Sequence, residues 1–201
     1  MRELLFASNN AKKYQEISAL FQPFGVRVIA PAEVGLSNFD VEETGKTFED
    51  NAALKAITFA SKSGLPAFGD DSGLSVDALD GKPGVFSKRF FPGSDTDRNI
   101  HLLELLAAEE NRAAHFTTVI CFSDPIPKTV QFFNGKVYGT IAESIRGTAG
   151  FGYDPIFIPD GYTQTFGELG SAVKLEQSHR ARAVQKFITY LQTTSKEKES
   201  V

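Results

Sequence analysis

The stretch LLFASNNAKK, residues 4–13, predicts a short apolar strand that runs directly into a helix. Two asparagines stop the apolar run, and asparagine is typical of turns and of helix N-caps. Residues 26–29 predict a second strand, and a second helix should extend to Gly64. This alternation of strands and helices predicts an α/β fold.

The spacing of apolar residues predicts which helix faces are buried. The first helix should bury Ile17, Leu20, Phe21 and Phe24. Thr47 and Asp50 predict a capping box at the start of the second helix. A third helix should begin at Asp95 or Thr96. Its core face would be Ile100, Leu103 and Leu106. The core face of the last helix would be Val184, Phe187, Ile188 and Leu191. A polar tail, residues 195–201, should then fray.

The middle of the chain predicts mostly strands. Residues 65–69 should form a short strand that delivers a pair of aspartates to an edge between strands. Residues 116–122 and 129–133 predict a long antiparallel pair. Two alternatives stay open after residue 133: a turn or bulge at the Asn-Gly pair, or one strand that alternates through both glycines to Ile141.

Composition limits the classes of protein to which the chain could belong. It has 201 residues, of which 41% are hydrophobic, and we expect a single domain over residues 1–194. No apolar run is long enough to span a membrane and the first residues are unlike a signal peptide, so we expect a cytoplasmic protein. The lone cysteine, Cys121, should pack in a strand. A net charge of −4 argues against nucleic acid as a partner.

Two segments far apart in the chain together indicate phosphate chemistry. The first ends a strand and opens a helix, so it offers backbone N–H groups, the positive end of the helix dipole and a lysine to an anion. The candidate phosphate contacts in it are Ser8, Asn9, Asn10, Ala11, Lys12 and Lys13. The alternative is an ordinary Asn-capped helix with two solvated lysines.

The second segment is DDSG, residues 70–73. Adjacent carboxylates repel each other unless a cation or hydrogen bonds compensate them, and Mg²⁺ prefers such hard oxygen ligands. Glu42 and Glu43 are candidates for a further metal carboxylate. The alternatives are a simple turn for the aspartates and a solvated loop for the glutamates.

Two later segments indicate a site for a planar base. Residues 147–155, GTAGFGYDP, place glycines around two aromatic rings, so that backbone can approach a ligand while Phe151 or Tyr153 stacks on it. A serine at position 178 could cap the last helix and place His179 and Arg180 in its exposed first turn, where basic residues oppose the helix dipole. The alternatives are a glycine-rich bend with packed aromatics and solvated helix residues.

In their set and order these segments resemble one family, the inosine triphosphate pyrophosphatases, also called dITP/XTP pyrophosphatases. The resemblance spans nearly the whole chain. The motifs that carry it are, in chain order, residues 8–13, 42–52, 70–74, 83–87, 150–155 and 178–180. Members of that family commonly have Thr-Gly-Asn where this chain has Ser8-Asn9-Asn10, a change that keeps the hydroxyl and the second asparagine.

The resemblance implies Mg²⁺-dependent hydrolysis of ITP, dITP and XTP between the α and β phosphates, which removes deaminated purines from the nucleotide pool. It assigns the metal to Glu42 and Asp71, with Asp71 also the base that activates water. The substrate contacts it implies are Ser8, Asn10, Lys13, Ser72, Phe151, Gly152, Tyr153, Asp154, Lys174, His179 and Arg180, with Lys55 a further candidate. It also implies a homodimer and an elongated mixed sheet flanked by helices, in two lobes around a central cleft.

Hydrogen bonding predicts base selectivity. Hypoxanthine and xanthine carry a 6-keto oxygen that His179 or Arg180 could meet with an N–H group, whereas adenine presents an amino group there. Two other functions stay open. One is a pyrophosphatase for modified pyrimidine or other nucleoside triphosphates, and the other is a nucleotide-binding regulator without turnover.

Overall fold

A computed structural model describes residues 2–126 and 128–199 of the chain. Strands and helices alternate at the start of the chain and strands dominate its middle, as the sequence predicts, but two consecutive helices end the chain where one was expected. The strands are β1 (Arg2–Phe6), β2 (Val26–Ile29), β3 (Ala67–Val76), β4 (Ala113–Asp124), β5 (Thr129–Ile141) and β6 (Phe157–Pro159). The helices are α1 (Ala11–Phe21), α2 (Phe48–Ser63), α3 (Asp95–Leu105), α4 (Phe166–Gln177) and α5 (His179–Glu199).

The strands form one mixed sheet in the order β2-β1-β3-β4-β5-β6. β1 pairs in parallel with β2 and with β3, whereas β6 is antiparallel to β5. The short connection between the neighbours β4 and β5 cannot hold a crossover, so this pair is antiparallel, as predicted. The predicted α/β class is therefore confirmed. The two lobes and the cleft stay predictions.

The chain divides into two compact units. The first comprises residues 2–71, 118–126, 128–135 and 180–199, and the second comprises residues 72–117 and 136–179. In the first unit, α1 and α5 pack on one face of the sheet against Phe6 and Phe68, while α2 packs on the other face against Leu5 and Ala67. This division follows the alternation of side chains along a strand. The second unit has its own apolar core, which includes Leu74, Val76, Leu102, Val137, Ile156, Phe157 and Phe166.

The helix boundaries agree with the sequence better than the buried faces do. The capping box of α2 is confirmed, since the Thr47 hydroxyl accepts from the Asp50 N–H at 3.1 Å. Phe24 is 42% exposed, contrary to expectation, because Pro23 turns the chain into a 3-10 helix after α1. Ile100 is also exposed, and α3 instead buries a face that includes Asn99, a polar residue that an apolar pattern leaves out.

Three further expectations are settled by the strands and the last helix. β5 runs without interruption to Ile141, so the single-strand alternative is the right one. Cys121 is buried in β4 as predicted, and burial raises the pKa of its thiol to about 12. α5 buries its predicted apolar face and continues to Glu199; Ser200 and Val201 of the expected tail lie outside the described residues. None of the helices described in residues 2–126 and 128–199 is both long and apolar enough to cross a bilayer.

Candidate active site

The two adjacent aspartates lie in the interior of β3, a central strand, which corrects the expectation of an edge between strands. Successive side chains of a strand point to opposite faces of its sheet. Asp70 therefore shares the face of Phe68, which α1 and α5 cover, and Asp71 shares the face of Ala67, which α2 covers. This placement gives each carboxylate a different set of partners.

Asp70 is fully buried and is held between two cations. The Lys13 ammonium lies 3.0 and 3.1 Å from its two carboxylate oxygens, and the Arg180 Nε lies 3.6 Å from Oδ2. Burial alone would raise the pKa of Asp70, but Lys13, Arg180 and Lys55 outweigh it and hold the pKa well below its usual range. Asp70 is thus ionised at neutral pH and fixes Lys13 and Arg180.

Asp71 contacts α2 on the other face of the sheet. The Asn51 amide donates to its Oδ2 at 3.0 Å, and the Lys55 ammonium lies 4.0 Å from Oδ1. Burial raises the pKa of Asp71, and the nearby Glu43 carboxylate raises it further. Asp71 is therefore a stronger base than an ordinary aspartate, which suits proton transfer.

Lys55 links Asp71 to the segment that precedes α2. Its ammonium binds the Glu43 carboxylate at 2.7 Å, and Asn51 accepts from the Gly45 N–H at 2.8 Å. Burial alone would lower the pKa of Lys55, but Asp70, Asp71 and Glu43 outweigh it and raise the pKa. Asn51 and Lys55, both on α2, thus contact Asp71 and also the loop that carries Glu43 and Gly45.

The charges on the two faces form one electrostatic group. Burial lowers the pKa of Lys13, and Lys55 and Arg180 lower it further, while Asp70 and Asp71 oppose the change. Lys13 and Asp71 shift the pKa of each other through their charges. The pairing of β1 with β3 ends where Phe6 lies beside Phe68, whereas β3 continues to Val76. Asp70 and Asp71 therefore lie beyond the segment that pairs with β1.

The first motif caps α1 in the way asparagine usually does. The Asn10 side chain accepts from the Lys13 N–H at 3.1 Å, and the Ser8 hydroxyl accepts from the Asn10 N–H at 3.2 Å. Asn9 donates its amide to the Phe39 carbonyl at 2.7 Å, so it anchors a loop. Ala11 and Lys12 are exposed at the helix start, where the first N–H groups have no helical acceptor.

The oxygen donors around Asp71 suit Mg²⁺. No three His, Cys, Asp or Glu side chains in the described ranges 2–126 and 128–199 are arranged to hold a metal by themselves. Mg²⁺ ordinarily takes one or two carboxylates and completes its shell with water and substrate phosphates. Asp71 together with an acid of the neighbouring loop fits that pattern. Glu42 is exposed there, and Glu43 is the acid that contacts Lys55.

A second polar group lies in the second unit and unites two predicted motifs. The Lys174 ammonium binds Asp154 Oδ2 at 2.6 Å and lies 4.3 Å from the centre of the Phe151 ring. Asp154 also accepts from the Phe151 N–H at 2.7 Å. A Cβ at Gly150 would lie 2.1 Å from Asp154 Oδ2, so this turn requires glycine. Phe151 stays half-buried and is the better stacking candidate.

Three residues predicted to contact the base, Tyr153, His179 and Arg180, are buried, and their contact with a base stays a prediction. Tyr153 packs in the core of the second unit and donates its hydroxyl to the Ser87 carbonyl at 2.9 Å. His179 stacks on Phe116 with ring centres 4.6 Å apart. Arg180 is 1% exposed and binds Glu16 at 2.7 Å, so the exposed first turn predicted for α5 is wrong. Ser72 follows Asp71 on β3 and is half-buried.

Comparison with known proteins identifies the family of this chain. A family model described as the Ham1 family matches residues 4–190. The chain belongs to the Ham1 family. A relative named dITP/XTP pyrophosphatase from Agrobacterium fabrum is 44% identical, with 93% of this chain and 94% of the relative covered. Another from Acholeplasma laidlawii is 40% identical, with 92% of each covered.

Solved Ham1 structures share the fold. The Staphylococcus aureus Ham1 protein matches with a TM-score of 0.85 at 37% identity, and the match covers 96% of this chain and 100% of the S. aureus chain. A Coxiella burnetii HAM1 protein has a TM-score of 0.86 at 37% identity with the same coverage. The family predicted from the motifs is therefore confirmed.

Sequence reasoning missed several partners in this Ham1 family member. Asn51 was available as a signal, because it is a polar residue on the face of α2 that also carries Ala52 and Ala56. Glu16 gave no comparable signal, because its partner Arg180 is 164 residues away in the chain. Such an ion pair becomes visible only once α1 and α5 share a face of the sheet.

Gly69 lets α2 approach β3, and its replacement tests that role. A Cβ there would lie 2.8 Å from the Ala52 carbonyl oxygen and 2.9 Å from the Lys55 Cβ. We expect Gly69→Ala to lower the free energy of unfolding by about 1–3 kcal/mol. Phosphohydrolase turnover should also fall, because Asn51 and Lys55 move away from Asp71. Urea unfolding and steady-state rates measure the two effects.

The matched control is Gly64→Ala at the end of the same helix. Gly64 has a φ of 70°, so alanine should cost about 1–2 kcal/mol from backbone strain, but nothing lies within 4 Å of the added Cβ. We expect this variant to keep normal turnover. Equal turnover losses in both variants would contradict a specific role for the close approach at Gly69.

Proposed function

We propose that this chain hydrolyses non-standard purine nucleoside triphosphates, namely ITP, dITP and XTP, to a nucleoside monophosphate and pyrophosphate. The observation that carries the proposal is the group in which Lys13 and Lys55 face Asp70 and Asp71. The relatives at 40–44% identity are named dITP/XTP pyrophosphatases, which supports the substrate class. Such an activity would clear deaminated purines from the nucleotide pool.

The cations of the first unit would bind the phosphates. Lys13 and Lys55 supply positive charge, and the start of α1 adds N–H groups and the positive end of its dipole. Ser8 and Asn10 would orient phosphate oxygens from the same turn. These groups are already in place, so they stabilise charge that develops on the phosphates in the transition state. Such electrostatic stabilisation usually contributes most to the catalysis of phosphoryl transfer.

Asp71 would accept the proton of the attacking water. Its raised pKa favours proton uptake, and the Asn51 amide holds the carboxylate in one orientation. Glu42 and Asp71 would hold Mg²⁺, with Glu43 beside them. When bound, the cation neutralises phosphate charge. We also propose that the enzyme is cytoplasmic and homodimeric, and that nucleic acid and membranes are not among its partners.

The second unit would recognise the base. Phe151 would stack on the purine, and the Lys174 ammonium would donate to the 6-keto oxygen of hypoxanthine or xanthine. Adenine would place its amino group against the same donor, which leaves both donors without an acceptor. Gly152 and Asp154 shape this loop. Arg180, which binds Asp70 and Glu16, is better placed to support the phosphate group than to read the base.

Lys174→Gln tests this assignment of base recognition. The amide can still donate to Asp154, but it removes the charge and shortens the reach toward a keto oxygen. We expect kcat/KM for ITP to fall about tenfold to a hundredfold, with a much smaller change for ATP. Lys186→Gln, an exposed lysine that binds the Asn134 carbonyl, is the control. Equal losses with ITP and ATP would contradict the assignment.

The proposed activity is tested by pyrophosphate release in Mg²⁺. Initial rates on ITP, XTP, dITP, GTP, ATP and modified pyrimidine triphosphates separate the candidate functions. Preference for 6-keto purines is the expected result. Equal rates on all substrates, or a preference for modified pyrimidines, would contradict it. Binding of ITP without pyrophosphate release would favour a regulatory module.

A further inference from the structure

The loop of residues 147–155, here called the base loop, is bonded to α3 through both backbone polar groups of Gly152. The Gly152 N–H donates to Asp95 Oδ2 at 2.9 Å, and the Gly152 carbonyl accepts from the Asn99 amide at 3.1 Å. The two side chains lie one helical turn apart on α3. Two bonds of opposite direction fix the peptide groups on both sides of the Gly152 Cα.

Gly152 needs such restraint because its backbone is unusual. Its φ is 64°, in the left-handed region, and nothing lies within 4 Å of the position that a Cβ would take, so conformation alone explains the glycine there. Glycine has more accessible backbone states than any other residue. The bonds from Asp95 and Asn99 select one of these states before any ligand arrives.

Asn99 lies on the buried face of α3, next to Leu102 and Leu106 in helical spacing. A buried amide is costly unless it makes hydrogen bonds. Its bond to the Gly152 carbonyl offsets part of this cost, which an apolar residue would avoid altogether. Asn99 therefore contributes to the position of Gly152, whereas an apolar residue would suit the core of the second unit better.

Gly152 lies among the residues that we propose to recognise the base. Phe151 precedes it, and Asp154, two residues later, accepts from the Phe151 N–H and binds Lys174. A rotation at Gly152 would move the Phe151 ring away from the Lys174 ammonium, 4.3 Å from its centre. The geometry of the ring and the ammonium therefore depends on the two side chains from α3.

We propose that Asp95 and Asn99 are positioning residues for base recognition, which hold Gly152 so that Phe151 and Lys174 meet a 6-keto purine in a fixed arrangement. This inference rests on the proposed function. A loop ordered in advance does not lose that freedom on binding, so its affinity for the base is higher. The effect belongs to substrate binding and leaves the phosphate chemistry of the first unit unchanged.

Asp95→Ala removes the acceptor of the Gly152 N–H. We expect KM for ITP to rise about tenfold, kcat to stay near the wild-type value and the preference for ITP over ATP to fall. Asn99→Asp keeps the size of the side chain but loses the amide donor, and it should behave in the same way. Asp95→Asn keeps an oxygen that accepts from Gly152, and it should restore most of the wild-type KM.

Asp97→Ala is the matched control on the same helical turn. Asp97 accepts from the Ser94 N–H at 2.7 Å and so caps α3, away from Gly152. It should lower the melting temperature while KM for ITP and the ITP/ATP ratio stay unchanged. An unchanged KM in Asp95→Ala, a fall confined to kcat, or an equal rise of KM in Asp97→Ala would each overturn the positioning role.

The rates of the wild-type enzyme on ITP and ATP distinguish a failure of the positioning role from a failure of the proposed function. A wild type that hydrolyses ITP no faster than ATP overturns the proposed function, and the positioning role with it. A wild type that prefers ITP, combined with an Asp95→Ala variant of wild-type KM and selectivity, overturns the positioning role alone.

Discussion

Replacing Asp71 with asparagine is expected to lower the rate of pyrophosphate release from ITP by a factor of about 10²–10⁴. Asparagine has nearly the same shape, and its amide oxygen can still accept from Asn51, which now holds Asp71 at 3.0 Å. The variant loses the group that accepts the proton of water and one carboxylate for Mg²⁺. The fold should survive, because burial disfavours the charge of Asp71 enough to raise its pKa.

The discriminating measurement is the residual rate on ITP and ATP under saturating Mg²⁺. The ITP/ATP ratio should stay near that of the wild type, because base recognition belongs to Lys174 and Phe151 in the second unit. Asp80→Asn is the matched control, since Asp80 is exposed and its φ of 53° suits asparagine. Near-normal turnover in the Asp71 variant would refute its role as base.

Local signals in the sequence were sufficient for most of the elements. The strand over residues 4–7, the Asn10 cap, the Thr47 capping box and the apolar face of the last helix all depend on neighbours within a few residues. A cap or an amphipathic face is set by residues three or four apart, so the local sequence is enough to predict it. Their predicted positions agree with α1, α2 and α5.

The position of the aspartate pair could not be predicted in this way. Gly69, Asp70, Asp71 and Gly73 have low strand propensity, so the pattern favoured a break after residue 69. The place of β3 between β1 and β4 in the sheet overrides that local preference, since strand formation depends strongly on tertiary context. The same context explains why one aspartate faces α1 and the other faces α2.

Burial of the basic pair at the start of α5 was equally invisible. Charged residues are mostly exposed, which makes an exposed first turn the natural expectation. Arg180 is buried because Asp70 and Glu16 compensate its charge, and both partners are distant in the chain. The candidate roles of Asp95 and Asn99 also depend on contacts between elements that are distant in the chain, so no local signal in the sequence indicates them.

Replacing Asp70 with asparagine should produce the largest loss of stability in the first unit. Asp70 is fully buried and its two oxygens contact the Lys13 ammonium at 3.0 and 3.1 Å, with Arg180 nearby. Removal of one partner from a buried ion pair leaves uncompensated charge and costs about 3–5 kcal/mol. Urea unfolding at pH 7 should show this difference from the wild type, while Asp80→Asn should unfold like the wild type.

The pH dependence of this difference identifies its cause. The pKa of Asp70 is held well below its usual value, so its ionised form stabilises the folded state at every pH above the ordinary carboxyl pKa of about 4. That contribution is lost progressively as the pH falls from about 4 toward the lower pKa of the folded state. The wild type and Asp70→Asn should therefore differ by a constant amount from neutral pH down to about 5, and should converge below about 4. A difference that does not shrink in acid would mean that Asp70 stabilises the protein through packing, independently of its charge.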